Sequence, residues 1–134
     1  MNDDANQAGG CNCAGVRYEL TGALRDVYDC HCERCRRITG HHMAATAVRP
    51  EQLSFASQTT LTWYDPVPTV HYGFCNRCGS TLFWKNDDQP DKVCIAAGTL
   101  DQPTGLRTTK AWWVAEAGDY FVRPGDVQEF AYED

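Results

Sequence analysis

Apolar and polar residues alternate along Val16-Arg17-Tyr18-Glu19-Leu20, the period of a strand with one buried face. Thr60-Leu61-Thr62-Trp63-Tyr64 and Thr69-Val70-His71-Tyr72-Gly73-Phe74 are rich in β-branched and aromatic residues. Short apolar runs follow at Thr81-Leu82-Phe83-Trp84, Lys92-Val93-Cys94-Ile95-Ala96-Ala97 and Ala111-Trp112-Trp113-Val114. Turn formers separate these runs, as in Asp65-Pro66-Val67-Pro68 and Asn86-Asp87-Asp88-Gln89-Pro90. Short strands at frequent turns predict a mainly β fold. Helical signals are few. Cys32 to Thr39 reads as a helical turn stopped by Gly40, and Arg49-Pro50-Glu51-Gln52-Leu53 as a second single turn.

No internal repeat, linker or low-complexity block interrupts the chain. Its 134 residues fit one domain, able to bury roughly two-thirds of its unfolded surface. The expected organisation is a flexible tail over residues 1–9, one β-rich domain over 10–130 and an acidic tail over 131–134.

Charge narrows the partners. The formal net charge is -6, which argues against nucleic-acid binding through the phosphate backbone. Two zinc-filled thiolate sites would deepen the charge to roughly -9. No run approaches the ~18 apolar residues of a membrane span. The polar, acidic start lacks a basic segment followed by an apolar run, so a cytoplasmic, reducing location is expected.

Seven of the eight cysteines fall into three clusters. They are Cys11-Asn12-Cys13, Cys30-His31-Cys32-Glu33-Arg34-Cys35 and Cys75-Asn76-Arg77-Cys78-Gly79. In a reducing compartment such clusters favour metal over disulfides. The CxxC spacing aims two sulfurs at one ion, and Gly79 allows the positive φ needed after such a turn. A strand-like run follows it, unlike the helix of a thioredoxin-type redox motif. Cys11 and Cys13 would share a face of an extended segment. With Cys75 and Cys78 they complete a four-cysteine site, the composition of structural zinc. Cys30, Cys32 and Cys35 can meet if a strand passes into a helical turn at Cys32. Three ligands leave a fourth position for water, a substrate thiolate, His31 or a distant residue such as Cys94.

The remaining candidates are less specific. His31 in an extended segment points away from its cysteine neighbours, and His41, His42 and His71 show no partner in the sequence. Cys94 reads as a buried core thiol. Arg34, Arg36 and Arg37 either form a solvated surface or offset thiolate charge and hold a ligand's carboxylates. Glu33 is a candidate proton carrier. Trp63, Trp84, Trp112 and Trp113 are core residues or an aromatic pocket wall.

The three cysteine segments, in this order, resemble the glutathione-dependent formaldehyde-activating enzyme family, whose domain also occurs in centromere protein V. Gly98-Thr99-Leu100-Asp101 is similar to a turn of that family, so the likeness runs from about Gly9 to Tyr120. It implies a β-tent of several small antiparallel sheets organised around two zinc ions. It also implies structural zinc at Cys11, Cys13, Cys75 and Cys78, and catalytic zinc at Cys30, Cys32 and Cys35. The implied activity joins formaldehyde to glutathione, formally a carbon–sulfur lyase reaction. One departure stands at Ala111, where family members often carry His. The expected function is thus a zinc enzyme acting on a small thiol and a small aldehyde. The alternatives are a non-catalytic zinc-stabilised binding module, with Cys94 or His31 closing the second site, and a thiol redox or metal sensor.

Overall fold

The computed structural model describes residues 6–134. Strands follow in chain order: β1 (Asn6–Gly10), β2 (Val16–Thr21), β3 (Val27–Cys30), β4 (Met43–Val48), β5 (Leu53–Gln58), β6 (Leu61–Val67), β7 (Val70–Cys75), β8 (Thr81–Asn86), β9 (Val93–Ala96), β10 (Thr108–Trp112) and β11 (Gln128–Glu129). One α-helix, α1 (Glu33–Thr39), joins β3 to β4. Single 3₁₀ turns lie at Pro50–Gln52, Ala97–Thr99 and Val114–Glu116. The fold is mainly β, as the alternation predicts.

Two sheets form. One has three strands in the order β1-β2-β5; the other has eight, in the order β11-β10-β3-β4-β9-β8-β7-β6. Pairing is antiparallel except where β10 runs parallel to β3 and to β11. A first core joins the two sheets: Val16, Tyr18 and Leu20 of β2 pack with Val48, Phe83, Val93 and Ile95 of the larger sheet. A second, smaller core of Cys35, Met43, Ala45, Val70, Tyr72 and Cys94 lies apart from it.

Register explains the division. Side chains directly opposite on neighbouring strands share a face. Lys110, Tyr28, Ala45 and Ala96 stand in one such row, and Trp112, Cys30 and Met43 in the next. Ala47, Cys94, Trp84 and Tyr72 form a third row. These rows make one face of the large sheet. Thr46, Ile95, Phe83 and Gly73 make a row on the opposite face, toward the first core.

Three boundaries differ from expectation. Residues 6–9, expected to belong to an N-terminal tail, lie in β1, which starts at Asn6 and pairs with β2, Gly9 opposite Tyr18; residues 1–5 lie outside the described residues. The C-terminal residues are not a free tail. Tyr132 and Ala131 carbonyls accept from Trp113 N at 3.0 Å and Ala115 N at 3.3 Å, and Asp134 pairs with Lys110. Asp65-Pro66-Val67 is not a separator but the end of β6, with a register shift between Tyr64 and Val67. Pro66 is tolerated there because β6 is the outermost strand and needs no donor on its free side.

Candidate functional site

The cysteine clusters gather into two groups. Cys11, Cys13, Cys75 and Cys78 bring their sulfurs within 4.8 Å of one another, and Cys30, Cys32 and Cys35 do the same. Cys11 and Cys75 are buried in the first core, Cys35 in the second. All eight cysteines are free.

In the four-cysteine group Cys11 Sγ lies 3.7 Å from Cys13 Sγ, and Cys13 Sγ 3.6 Å from Cys75 Sγ. A tetrahedron with zinc–sulfur bonds of 2.3 Å has edges of about 3.8 Å, so these spacings fit zinc and are far too long for disulfides. N–H groups also donate to three of these sulfurs, those of Cys11, Cys13 and Cys75. Val16 N donates to Cys11 Sγ at 3.2 Å, and Arg77 N and Cys78 N donate to Cys75 Sγ at 3.4 Å. Arg77 Nε donates to Cys13 Sγ at 3.2 Å. The Ser80 hydroxyl and backbone pull the Cys78 thiol down to about 5. The turn depends on Gly79, whose φ is +82°. Its N–H donates to Cys75 O at 2.9 Å, closing the loop. Residues more than sixty positions apart therefore share one prospective ion.

The three-cysteine group forms where β3 meets α1. Cys30 ends β3, Cys32 caps the helix by accepting from Cys35 N at 3.3 Å, and Cys35 faces inward from the first turn. Gly40 ends the helix with φ +84°, as its position suggests. Tyr72 on β7 places its Oη 3.0 Å from Cys35 Sγ. Hydrogen bonds from Cys30 and Cys35 pull the Cys32 thiol far down, while the one Cys30 gives to Cys32 pushes Cys30 up. Three convergent sulfurs, one of them accepting from a backbone N–H, make a donor set suited to a thiophilic cation.

Neither proposed fourth ligand joins this group among the described residues. His31 is 2% exposed, its ring 4.8 Å from that of His42 and 5.1 Å from that of Phe121. It fills space, as an outward-pointing residue between two ligands should. His42 contacts Asp29 at 3.6 Å. Burial lowers His42 to about 4 and raises Asp29 to about 6, so this contact is not an ion pair at neutral pH.

A cavity of about 580 Å³ opens beside the three cysteines, within the range of small-molecule sites. Its floor is the alanine-rich face of the large sheet, with Ala45 and Cys94; Trp84 and Trp112 line it, and Trp113 also borders it. Trp63 lies elsewhere, stacked on Phe83 at 6.1 Å. Arg34 and Arg37 border the cavity, but Arg36 does not. Arg37 is engaged with Glu33 at 2.9 Å, and Glu116 Oε1 accepts from Glu33 N at 2.7 Å. The sequence reading missed Tyr72, Glu116, Arg25 and Lys92, all of which border the cavity. Only Lys92 left a local trace, two residues before Cys94 and just ahead of β9.

The model of the glutathione-dependent formaldehyde-activating enzyme family matches residues 6–116. The chain belongs to that family. The match spans both cysteine groups and the helix between β3 and β4. A crystal structure of a Rhodobacter sphaeroides protein shares the fold, with a TM-score of 0.63 and 23% identity over 92% of this chain and 99% of that one. No curated protein matches. Among the described residues, no helix is long and apolar enough to cross a membrane.

Proposed function

We propose that this family member is a zinc-dependent enzyme of the carbon–sulfur lyase type, joining a small thiol, glutathione or a relative, to a small aldehyde such as formaldehyde. The observation that carries the reading is the group of three cysteine sulfurs, without a fourth protein ligand among the described residues, at the edge of a ligand-sized cavity. Cys11, Cys13, Cys75 and Cys78 would hold a structural zinc, and Cys30, Cys32 and Cys35 a catalytic one. When bound there, zinc would supply Lewis acidity that favours the thiolate form of a thiol beside it.

The chain's own residues do the rest. The cavity holds the two reactants together, a contribution that matters more than polarisation when three thiolates already surround the ion. Arg34 and Arg37 offset the negative charge of the cysteine group. Tyr72 fixes the orientation of Cys35. In the forward direction a sulfur–carbon bond forms at the carbonyl carbon, and the thiol proton ends on the former carbonyl oxygen. Glu33, at the cavity rim, is the group we assign to carry that proton. The set of free thiols suits a reducing compartment such as the cytoplasm.

Carbon-13 exchange NMR of formaldehyde with glutathione tests the reading. The zinc-loaded protein should accelerate interconversion of free aldehyde and S-hydroxymethyl adduct. A rate equal to the protein-free control would sink it.

A further inference from the structure

The cavity has a second end that the chemistry above does not use. Arg25 precedes β3 and Lys92 precedes β9, and both border the cavity with Tyr28, Trp84, Trp112 and Cys94. The Arg25 guanidinium lies 3.8 Å from the Tyr28 ring centroid. Its Nε and Nη2 donate to the carbonyls of Asp26 at 3.2 Å and Ala45 at 2.9 Å. The group is thus held in place without being neutralised. Lys92 Nζ lies 5.7 Å from the Trp84 ring and 5.8 Å from the Trp112 ring. Neither cation makes an ion pair among the described residues, whereas nearby Lys110 is matched by Asp134.

We propose that Arg25 and Lys92 form an anion subsite that holds a carboxylate of the thiol substrate while its sulfur reaches the three-cysteine end. The inference rests on the thiol-binding reading and names which thiols the site accepts: those carrying a carboxylate.

Three features support it. Arg25 and Lys92, neither in an ion pair among the described residues, border the same cavity in a chain of net charge -6. Cys94 does not balance them, because burial pushes its thiol up and keeps it neutral. Burial also lowers Arg25, so its charge is partly stripped of water and gains more from an anion than an exposed arginine would. The indole walls between the two ends offer apolar contact for a linking chain. Glu133 borders the cavity as well. It is exposed and makes no ion pair with either cation among the described residues, so a ligand carboxylate can compete with it.

Calorimetric titration of the zinc-loaded protein with S-methylglutathione tests the subsite without any reaction, since the blocked sulfur cannot add to an aldehyde. Wild type should bind it, and bind its diethyl ester at least about tenfold more weakly, the loss of one charge-assisted contact. Arg25→Gln and Lys92→Met should each weaken S-methylglutathione by about tenfold and leave the ester little changed. Arg25→Lys should recover part of the loss. Lys92→Met touches no backbone bond, so it stands if Arg25→Gln fails to fold. Equal affinities for acid and ester, unchanged binding in folded Lys92→Met, or no binding by wild type overturns the subsite. Charge-dependent binding without catalysis would instead overturn only the enzyme reading.

Discussion

His71 on β7 stands between two carboxylates, with Nδ1 2.7 Å from Asp65 and Nε2 2.9 Å from Asp87. Asp65 chiefly, with Asp87, raises its pKa above the usual 6.5. A raised histidine stabilises the fold fully below its unfolded pKa and loses that contribution as pH rises through the folded value. The melting temperature of His71→Gln should therefore fall below wild type near pH 6, and the gap should narrow at alkaline pH; a gap that widens contradicts the clamp. Tyr72 acts on the cysteine trio instead. Tyr72→Phe should leave the melt nearly unchanged, yet weaken metal at the three-cysteine site by about 10-fold or more, as loss of a partner to a ligand typically does. Chelator competition measures it. The cysteines themselves were legible because their spacing is local. Tyr72 was not, because it reaches the site through strand register, and Arg25 was not, because the strand it precedes sets its place.

At the scale of elements, the turn after Cys78 carries the closed site. Gly79 has room for a side chain but not the dihedral for one, with φ +82° and no neighbouring atom within 4 Å of where a Cβ would stand. Gly79→Ala should cost about 1 kcal/mol in urea unfolding. Phe83 on β8 joins the sheets, its ring 5.4 Å from Tyr18 and 5.7 Å from Phe55. Phe83→Ala should cost about 3–5 kcal/mol by the same measurement. Strands β2, β7, β8, β9 and β10 could be read from alternation or apolar runs, and α1 from its Gly40 stop. Strand β4 could not: Met43-Ala-Ala-Thr-Ala-Val48 is alanine-rich, and alanine favours helix. Pairing with β3 and β9 overrides that preference, and Ala45 is the small side chain that β4 presents to the cavity. Strand β3 is four residues long, and its partners β4 and β10 set it more than its own pattern does. Strand β5 alternates, Leu53 and Phe55 inward, but its inward face is only half-buried.

Across the whole molecule, the two cysteine groups belong to different cores, which fits the proposed division into a structural and a catalytic zinc. The four-cysteine group joins β1, β2 and β7 from distant parts of the chain, where an ion adds folding energy directly. Structural zinc can contribute about 10–16 kcal/mol in small domains, comparable to the ~5–15 kcal/mol total stability of a typical domain. The three-cysteine group lies within one strand-to-helix turn and faces the cavity, so the fold should survive its loss. The sequence count of four and three already suggested this division; the structure adds that the trio takes in neither His31 nor Cys94 among the described residues. Zinc per folded chain, measured with the thermal melt in wild type, Cys32→Ser and Cys78→Ser, tests the division most directly. The account predicts two zinc ions in wild type, one in Cys32→Ser with a cooperative melt retained, and loss of cooperative folding in Cys78→Ser. A single zinc in wild type, or unfolding of Cys32→Ser alongside a stable Cys78→Ser, would contradict it.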